Sequence, residues 1–216
     1  TEAHGNGVIV DITAPETGSG LDITDLDNTS DQSYTGSPTA LQASWSGFTD
    51  NLSGIDIYEY GVGLASLATD IKDWTSVDLD TFMLDNSFTL NNGDTYYISI
   101  RAIDSVGNVS VPISTDGIIA DHEGPYGSMA TDGDSADIDQ QNYTDVFNGY
   151  WSEFQDDLSG LAFHSMALYD TTNASYTIPW DSIGLDTVIQ LTGLNLEVNH
   201  VYQLHARATD FVENTG

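Results

Sequence analysis

The sequence predicts an all-β protein built as two tandem antiparallel β-sandwiches. Three observations lead to this prediction. One unit is written twice along the 216 residues, apolar and polar side chains alternate over short runs, and Gly, Asn and Asp interrupt those runs. Alternation with a period of two indicates strands that are buried on one face. Short strands separated by turn residues about every 8–12 positions are typical of sandwiches.

The repeated unit is marked most clearly by one short segment. Residues 45–55 (WSGFTDNLSGI) recur as residues 151–161 (WSEFQDDLSGL), an offset of 106. The same offset of 106 relates six further pairs of identical residues, which extend the match to residue 108 in the first copy and residue 214 in the second: Trp74 and Trp180, Leu90 and Leu196, Tyr96 and Tyr202, Arg101 and Arg207, Asp104 and Asp210, Asn108 and Asn214. A single offset held over such a length indicates two copies of one structural unit.

The segment that precedes each copy also repeats. Residues 7–15 (GVIVDITAP) resemble residues 117–125 (GIIADHEGP) at an offset of 110. We therefore expect a first repeat over residues 11–120 and a second over residues 121–216 that lacks its own last strand. Residues 1–10 would be the last strand of a preceding repeat, in an array that tiles head to tail. Alternatively, they would be a strand donated to another chain.

Within each repeat the strand pattern predicts which side chains form the core. Leu41, Ala43 and Trp45 alternate with polar residues, and Tyr96, Ile98, Ile100 and Ala102 do the same. The matching alternation in the second repeat runs from Tyr202 to Ala208. Residues on one side of a strand share a face. We therefore expect these aromatic residues in the two cores rather than on a sugar-stacking surface: Trp45, Tyr96, Trp151 and Tyr202.

Several of these residues resemble a known family. Leu90, Gly93 and Tyr96, followed by an alternating strand, resemble the fibronectin type III pattern, and Trp45 lies where that family has its strand-B tryptophan. The longer pattern is similar to the fibronectin type III-like and Ig-like repeats of very large bacterial surface proteins. The resemblance is weaker in the second repeat, where Asn199 replaces the glycine. It implies sandwich modules of an extracellular, surface-anchored protein.

Charge narrows the range of partners. The chain has 34 acidic and three basic residues, for a formal net charge of −31. Such a surface repels nucleic acid and anionic lipid, and it repels itself unless salt or bound cations offset the charge. No apolar run approaches the roughly 18 residues of a membrane span. We therefore expect an extracellular or cell-surface setting without nucleic-acid partners or a membrane span in this segment.

Motifs for catalysis are absent from the sequence. The five histidines show no HxxxH or HExxH spacing, and no cysteine is present to bind zinc. Neither a GxSxG elbow nor a phosphate-binding glycine loop occurs. Asp156 and Asp157 would be a conceivable carboxylate pair for glycoside hydrolysis, but a sandwich loop offers no pocket to raise the pKa of an acid. We therefore expect no enzymatic activity.

Calcium is the predicted ligand. In a sandwich of this kind the B–C and F–G loops lie at the end where the chain enters from the previous repeat. Oxygen-bearing residues from the linker and both loops should converge there: Asp11, Asp50, Asn51, Asp104 and Asn108 in the first repeat, and Asp121, Asp156, Asp157 and Asp210 in the second. A hard cation prefers such a set of oxygens. The alternative is that these residues only close Asx-turns.

A further acidic run, residues 22–27, is predicted to be a solvated first strand rather than a metal loop. The loosely matching residues 132–139 begin like an EF-hand loop but lack its glycine at position six and its terminal glutamate.

The sequence leaves two functions open. The first is a structural spacer or stalk repeat of an adhesin or extracellular filament, which contacts neighbouring repeats of the same protein and is stiffened by calcium between repeats. The second is a glycan- or protein-binding module that uses the tips of the B–C and F–G loops. The B–C loops, residues 50–54 and 156–160, are similar in the two repeats, and the F–G loops are partly similar. A dedicated binding module should differ at its loop tips, so this similarity favours the spacer.

Overall fold

The computed structural model describes residues 1–27, 30–127, 129–134 and 136–216. It divides into two compact units, residues 1–120 and residues 121–216. All regular elements in the described residues are β-strands, and nearly every pairing is antiparallel. The predicted all-β fold is therefore confirmed. Among the described residues no helix is long and apolar enough to cross a membrane.

The described residues of the first unit form ten strands in two sheets. They are β1 (Glu16–Asp27), β2 (Ser30–Asp31), β3 (Tyr34–Thr35), β4 (Leu41–Thr49), β5 (Ile55–Gly63), β6 (Lys72–Ser76), β7 (Phe82–Asp85), β8 (Thr95–Asp104), β9 (Ile113–Ser114) and β10 (Ile118–Ala120). One sheet has the order β2-β1-β4-β7. The other has the order β3-β10-β8-β5-β6, and β9 also pairs with β8. The β3–β10 pair is parallel.

A single core lies between these two sheets. The buried cluster takes Leu41, Ala43 and Trp45 from β4, and it takes Ile98 and Ile100 from β8 in the other sheet. These are the alternating positions that the sequence predicts to face inward. The arrangement is a β-sandwich, because each sheet buries one face against the other.

The second unit repeats the arrangement with fewer strands. They are β11 (Ala130–Asp132), β12 (Val146–Trp151), β13 (Leu161–Asp170), β14 (Ser175–Ser182), β15 (Val188–Thr192) and β16 (Tyr202–Asp210). The sheets have the orders β11-β12-β15 and β14-β13-β16. Within the described residues, β16 is therefore an edge strand, whereas its counterpart β8 in the first unit is flanked on both sides.

The burial of the four predicted core aromatic residues differs between the two units. Trp45, Tyr96 and Trp151 are buried, as expected, whereas Tyr202 is only half-buried and packs against the second core. Ile118 of β10 pairs with Tyr96. In the described part of the second unit no strand covers Tyr202 in the same way. The exposure of Tyr202 is a consequence of the open edge.

Residues 1–15 form no strand. Val8, Ile9 and Val10 are 91%, 82% and 78% exposed. Water-exposed apolar side chains in a consecutive run are unfavourable unless another surface covers them. The structure of the single chain therefore leaves both expectations for this segment open: the last strand of a preceding repeat, or a strand donated to another chain.

Candidate metal centres at the loop end of each unit

The B–C loop of each unit, between β4 and β5 in the first and between β12 and β13 in the second, is closed by one aspartate. Asp50 Oδ1 accepts hydrogen bonds from the backbone N–H groups of Leu52, at 3.1 Å, and Gly54, at 2.6 Å. Asp156 Oδ1 accepts the matching pair of bonds, also at 3.1 and 2.6 Å. The side chain therefore folds its own loop as an Asx-turn. In both units these bonds go to Oδ1, so Oδ2 remains for a further partner.

The F–G loop, residues 104–108 at the end of β8 and residues 210–214 at the end of β16, is built in the same way around a buried aspartate. Asp104 Oδ1 accepts bonds from the N–H groups of Val106 and Asn108, at 3.0 and 2.8 Å. The Asn108 side-chain amide donates to Asp104 Oδ2 at 2.7 Å and to the Thr13 carbonyl at 3.2 Å. Asp210 has the same three bonds in the second unit. These bonds hold the F–G loop against the chain that enters the unit.

The entering chain contributes the third aspartate. Asp11 Oδ1 accepts bonds from the Thr13 N–H and hydroxyl groups at 3.0 and 2.7 Å, and Asp11 Oδ2 accepts the Ser53 N–H at 3.0 Å. In the second unit Asp121 Oδ2 accepts the Ser159 N–H at the same distance. The linker aspartate is thus bonded to the B–C loop of its own unit.

These bonds bring three carboxylates together in each unit. One ligand atom from each of Asp11, Asp50 and Asp104 lies within 4.8 Å of the others, and one from each of Asp121, Asp156 and Asp210 does the same. Asp104, Asp121 and Asp210 are almost completely buried. Carboxylate oxygens at such separations fit the coordination sphere of a calcium ion, which takes six to eight oxygens at about 2.3–2.6 Å.

The basic residues are used elsewhere in the described structure. Lys72 pairs with Asp85, and Arg101 pairs with Glu59 at 2.6 Å while its guanidinium group lies over Trp74. Arg207 lies over Trp180 in the same way. The carboxylates of the two clusters therefore have hydrogen-bond donors near them but none of these three basic side chains.

Hydrogen bonds favour the ionised form of the first cluster. The Thr13 side-chain and backbone bonds lower the pKa of Asp11 to about 2. Burial acts to raise the pKa of Asp104, but the bonds from Asn108 and Val106 outweigh burial, so the pKa is lowered. Both side chains are therefore anionic at neutral pH and available as cation ligands.

The remaining predicted residues have different places. Asn51 is exposed in the B–C loop. Asp157 is also exposed, lies outside the second cluster and accepts a hydrogen bond from the Tyr126 hydroxyl at 3.0 Å. Asn108 acts through its amide donor group, as described above. Six of the nine predicted residues therefore form the two carboxylate clusters, while calcium itself remains a prediction.

A third acidic group differs from the expectation. Asp25 was expected on a solvated strand, but its side chain is completely buried. Burial, together with the nearby Asp116 and Asp31, raises the pKa of Asp25 to about 6, against the opposing bonds from Thr115 and Gly117. Asp25 shares a strand face with Ile23 two positions earlier, so the period-two pattern carried a signal for its inward position.

Comparisons with known proteins add likenesses to solved structures. The FN1–FN3 domains of chicken CNTN1 match with a TM-score of 0.45 and 13% identity over 94% of this chain. The chain spans 62% of the length of that structure. No protein-family model and no curated protein matches the sequence. The fold assignment therefore depends on the strands, sheet orders and cores described above.

Proposed function

We propose that the chain is a structural spacer or stalk segment of an extracellular, surface-anchored adhesin or filament, in which calcium stiffens the joints between repeats. It has no enzymatic role. The observation that supports this function is the duplication of the carboxylate cluster. The two B–C loops share the same bond lengths, and the F–G loops share the same donors and acceptors. A feature present in each module serves the array rather than one specialised module.

The position of the linker aspartate explains how a cation would stiffen a joint. β10 ends at Ala120, which is buried in the first core, and the next residue, Asp121, belongs to the cluster of the second unit. A calcium ion bound to Asp121, Asp156 and Asp210 would fix the chain where it leaves β10. It would also offset the repulsion among three carboxylates, which the net charge of −31 makes costly.

Calcium titration of charge-neutral variants tests this proposal. Asp50→Asn and Asp156→Asn keep the Oδ1 acceptor that closes each loop but remove one anionic ligand from each cluster. Asp157→Asn is the matched control, because Asp157 neighbours Asp156, is exposed and lies outside the cluster. We expect two calcium ions per chain by isothermal titration calorimetry in the unchanged protein and in the control, one ion in each single variant, and none in the double variant.

Melting experiments complete the test. Calcium should raise the melting temperature of the unchanged protein by mass action, and EDTA should reverse the increase. The double variant should show neither effect. Calorimetry without calcium binding, together with a melting temperature that EDTA leaves unchanged, would refute the calcium sites. The spacer function would then depend on the repeat architecture alone.

One observation favours the binding-module alternative. The outer face of the second unit carries an aromatic group of Tyr169, Tyr176, Trp180 and His205, in which the rings of Tyr169 and His205 stack at 5.5 Å. At the offset of 106 the first unit has Gly63 and Ser99 in place of Tyr169 and His205. Aromatic faces can stack on sugar rings. A glycan array distinguishes the functions: specific hits that Tyr176→Ala abolishes support the binding module, and no hits support the spacer.

A further inference from the structure

The second unit has an open strand edge that is closed in the first unit. In the first unit β10 pairs with β8, with Ile118 opposite Tyr96 and Ile119 opposite Thr95. In the described part of the second unit, β16 has β13 as its strand neighbour, and on its other side Ala208 and Thr209 pair with Gly216 and Thr215, which leaves the edge from Tyr202 to Arg207 without a strand. An edge of this kind presents backbone donors and acceptors that can pair with an added strand.

The open edge also leaves apolar side chains uncovered. Ile100 is fully buried in the first unit, whereas its counterpart Ala206 is half-buried, as is Tyr202 compared with Tyr96. Ile118 and Ala120 of β10 are core residues of the first unit. The second core therefore lacks two apolar side chains that the first core has.

Residues 7–11 have a sequence that matches the strand that closes this edge in the first unit, and Gly7 shares the left-handed backbone of its counterpart. They read GVIVD, and β10 with its flanking residues, 117–121, reads GIIAD. The backbone of Gly7 has φ 84° and that of Gly117 has φ 106°, so both glycines are in the left-handed region. Val8, Ile9 and Val10 are largely exposed, so they are free to pack elsewhere.

One polar contact supports the same match. Asp25 lies opposite Ala43 in the first unit and accepts a hydrogen bond from the Gly117 N–H at 3.1 Å. The residue at the corresponding place in the second unit is Asp132, opposite Gly149. Burial raises the pKa of Asp132, as it does for Asp25. An added strand that begins with Gly7 would bring the same N–H donor to Asp132.

We propose that residues 7–11 of one copy add as a strand to the β16 edge of a second copy, in the register that β10 takes on β8. Val8 would lie opposite Tyr202 and Ile9 opposite Val201. The side chains of Val8 and Val10 then take the places in the second core that Ile118 and Ala120 take in the first. Repetition of this contact generates a head-to-tail polymer, because donor and acceptor are at different sites of each copy. The inference deepens the proposed spacer function, but it does not depend on calcium.

Disulfide cross-linking between two single-cysteine variants tests the register. The chain contains no cysteine, so introduced ones are unique. Ile9→Cys in one variant and Val201→Cys in the other would be directly opposite in the proposed pairing, at a Cα separation that a disulfide can span. We expect a rapid cross-linked product of twice the 23.3 kDa chain mass in a mixture of the two.

The matched control uses a different surface of the same unit. Val188→Cys lies on β15 of the other sheet and is 63% exposed, against 58% for Val201. Ile9→Cys mixed with Val188→Cys should cross-link at least tenfold more slowly. Equal rates for the two mixtures would overturn the proposal. A double variant, Ile9→Cys with Val201→Cys, that cross-links within one chain at monomer mass would overturn it as well.

Assembly measurements separate this inference from the proposed function. Val8→Asp places a charge in the second core of the acceptor, so it should abolish polymers in sedimentation velocity and in electron micrographs. Val111→Asp is the control, because Val111 is also exposed and lies outside the segment. Polymers that persist in Val8→Asp would overturn strand donation while leaving the calcium sites standing. Polymers that Val8→Asp abolishes and EDTA does not affect would support strand donation without calcium.

Discussion

The buried Asp25 makes the stability of the first unit dependent on pH. Its side chain is fully buried, and burial disfavours the ionised form, as do the nearby Asp116 and Asp31. Hydrogen bonds from the Thr115 hydroxyl and the Gly117 N–H favour the ionised form. The net result is a pKa of about 6, against 3.8 for the ordinary group. Because the folded-state pKa is the higher of the two, the stabilising contribution is fully present below pH 3.8. It is lost as the pH rises through 6.

The size of the loss follows from the two pKa values. Each pKa unit corresponds to about 1.36 kcal/mol, so the difference between 3.8 and about 6 corresponds to about 3 kcal/mol. This is a large part of the 5–15 kcal/mol that is typical of a domain. Asp25→Asn removes the titration but keeps an oxygen that can accept the Gly117 N–H bond. We therefore expect the free energy of unfolding to fall by about 3 kcal/mol less in the variant than in the unchanged protein between pH 3 and pH 7.5.

The measurement needs a signal that reports on each unit separately. Methyl NMR spectra in a urea series provide it, because Ile98 and Ile100 report on the first core and Leu168 on the second. EDTA should be present throughout, so that cation binding at the two carboxylate clusters does not contribute to the pH dependence. The same pH dependence in Asp25→Asn and in the unchanged protein would show that Asp25 ionises normally inside the fold. At each pH the transition of the second unit should be the same in Asp25→Asn as in the unchanged protein.

Two further predictions concern one residue in each unit. In Gly47→Ala the new Cβ would lie 2.6 Å from the Gly20 carbonyl oxygen on a backbone with φ 92°, so the first unit should lose about 1–3 kcal/mol in urea unfolding. Glu153→Ala, at the matching exposed position of the second unit, should change stability by less than about 0.5 kcal/mol. The Asp170 hydrogen bond raises the pKa of His200, so the second unit should lose stability as the pH rises from 6 to 8. His200→Gln should remove that loss in the same urea series, and an unchanged slope would refute it.

Strand periodicity predicted the strands because it follows from burial of one face of each strand, and the internal repeat predicted that the fold occurs twice. The inward positions of β4 and β8 are the ones that the alternation indicates. Tyr202 shows where periodicity stops being informative. Tyr202 has the same position in the apolar–polar alternation of its strand as Tyr96 has. Its burial also depends on a neighbouring strand, and the alternation within one strand does not show whether that neighbour is present.

Composition predicted less of the candidate site. Asp-rich loops indicated where carboxylates could meet, and six of the nine residues do meet. Asp156 and Asp157 are adjacent in the sequence, yet the turn points only Asp156 into the cluster, so adjacency gave no way to separate them. Asp25 was hidden by its acidic neighbours, because a run of carboxylates suggests solvent exposure while strand geometry buries every second side chain.

The two units show which part of the repeat tolerates change. In the second core His164 stands where the first core has Tyr58. His164 packs edge-on against Trp151 with ring centroids 6.0 Å apart, and Tyr58 packs in the same way against Trp45 at 5.9 Å. The edge-on ring contact with the tryptophan is therefore kept although the partner ring differs. The B–C and F–G loops, by contrast, keep the same aspartates with the same backbone donors. Hydrogen bonds alone would allow Asn in place of Asp at Asp50 and Asp156, since Oδ1 accepts both bonds. Retention of the charged residue at both places therefore favours a role for the second, anionic oxygen, which a cation would fulfil.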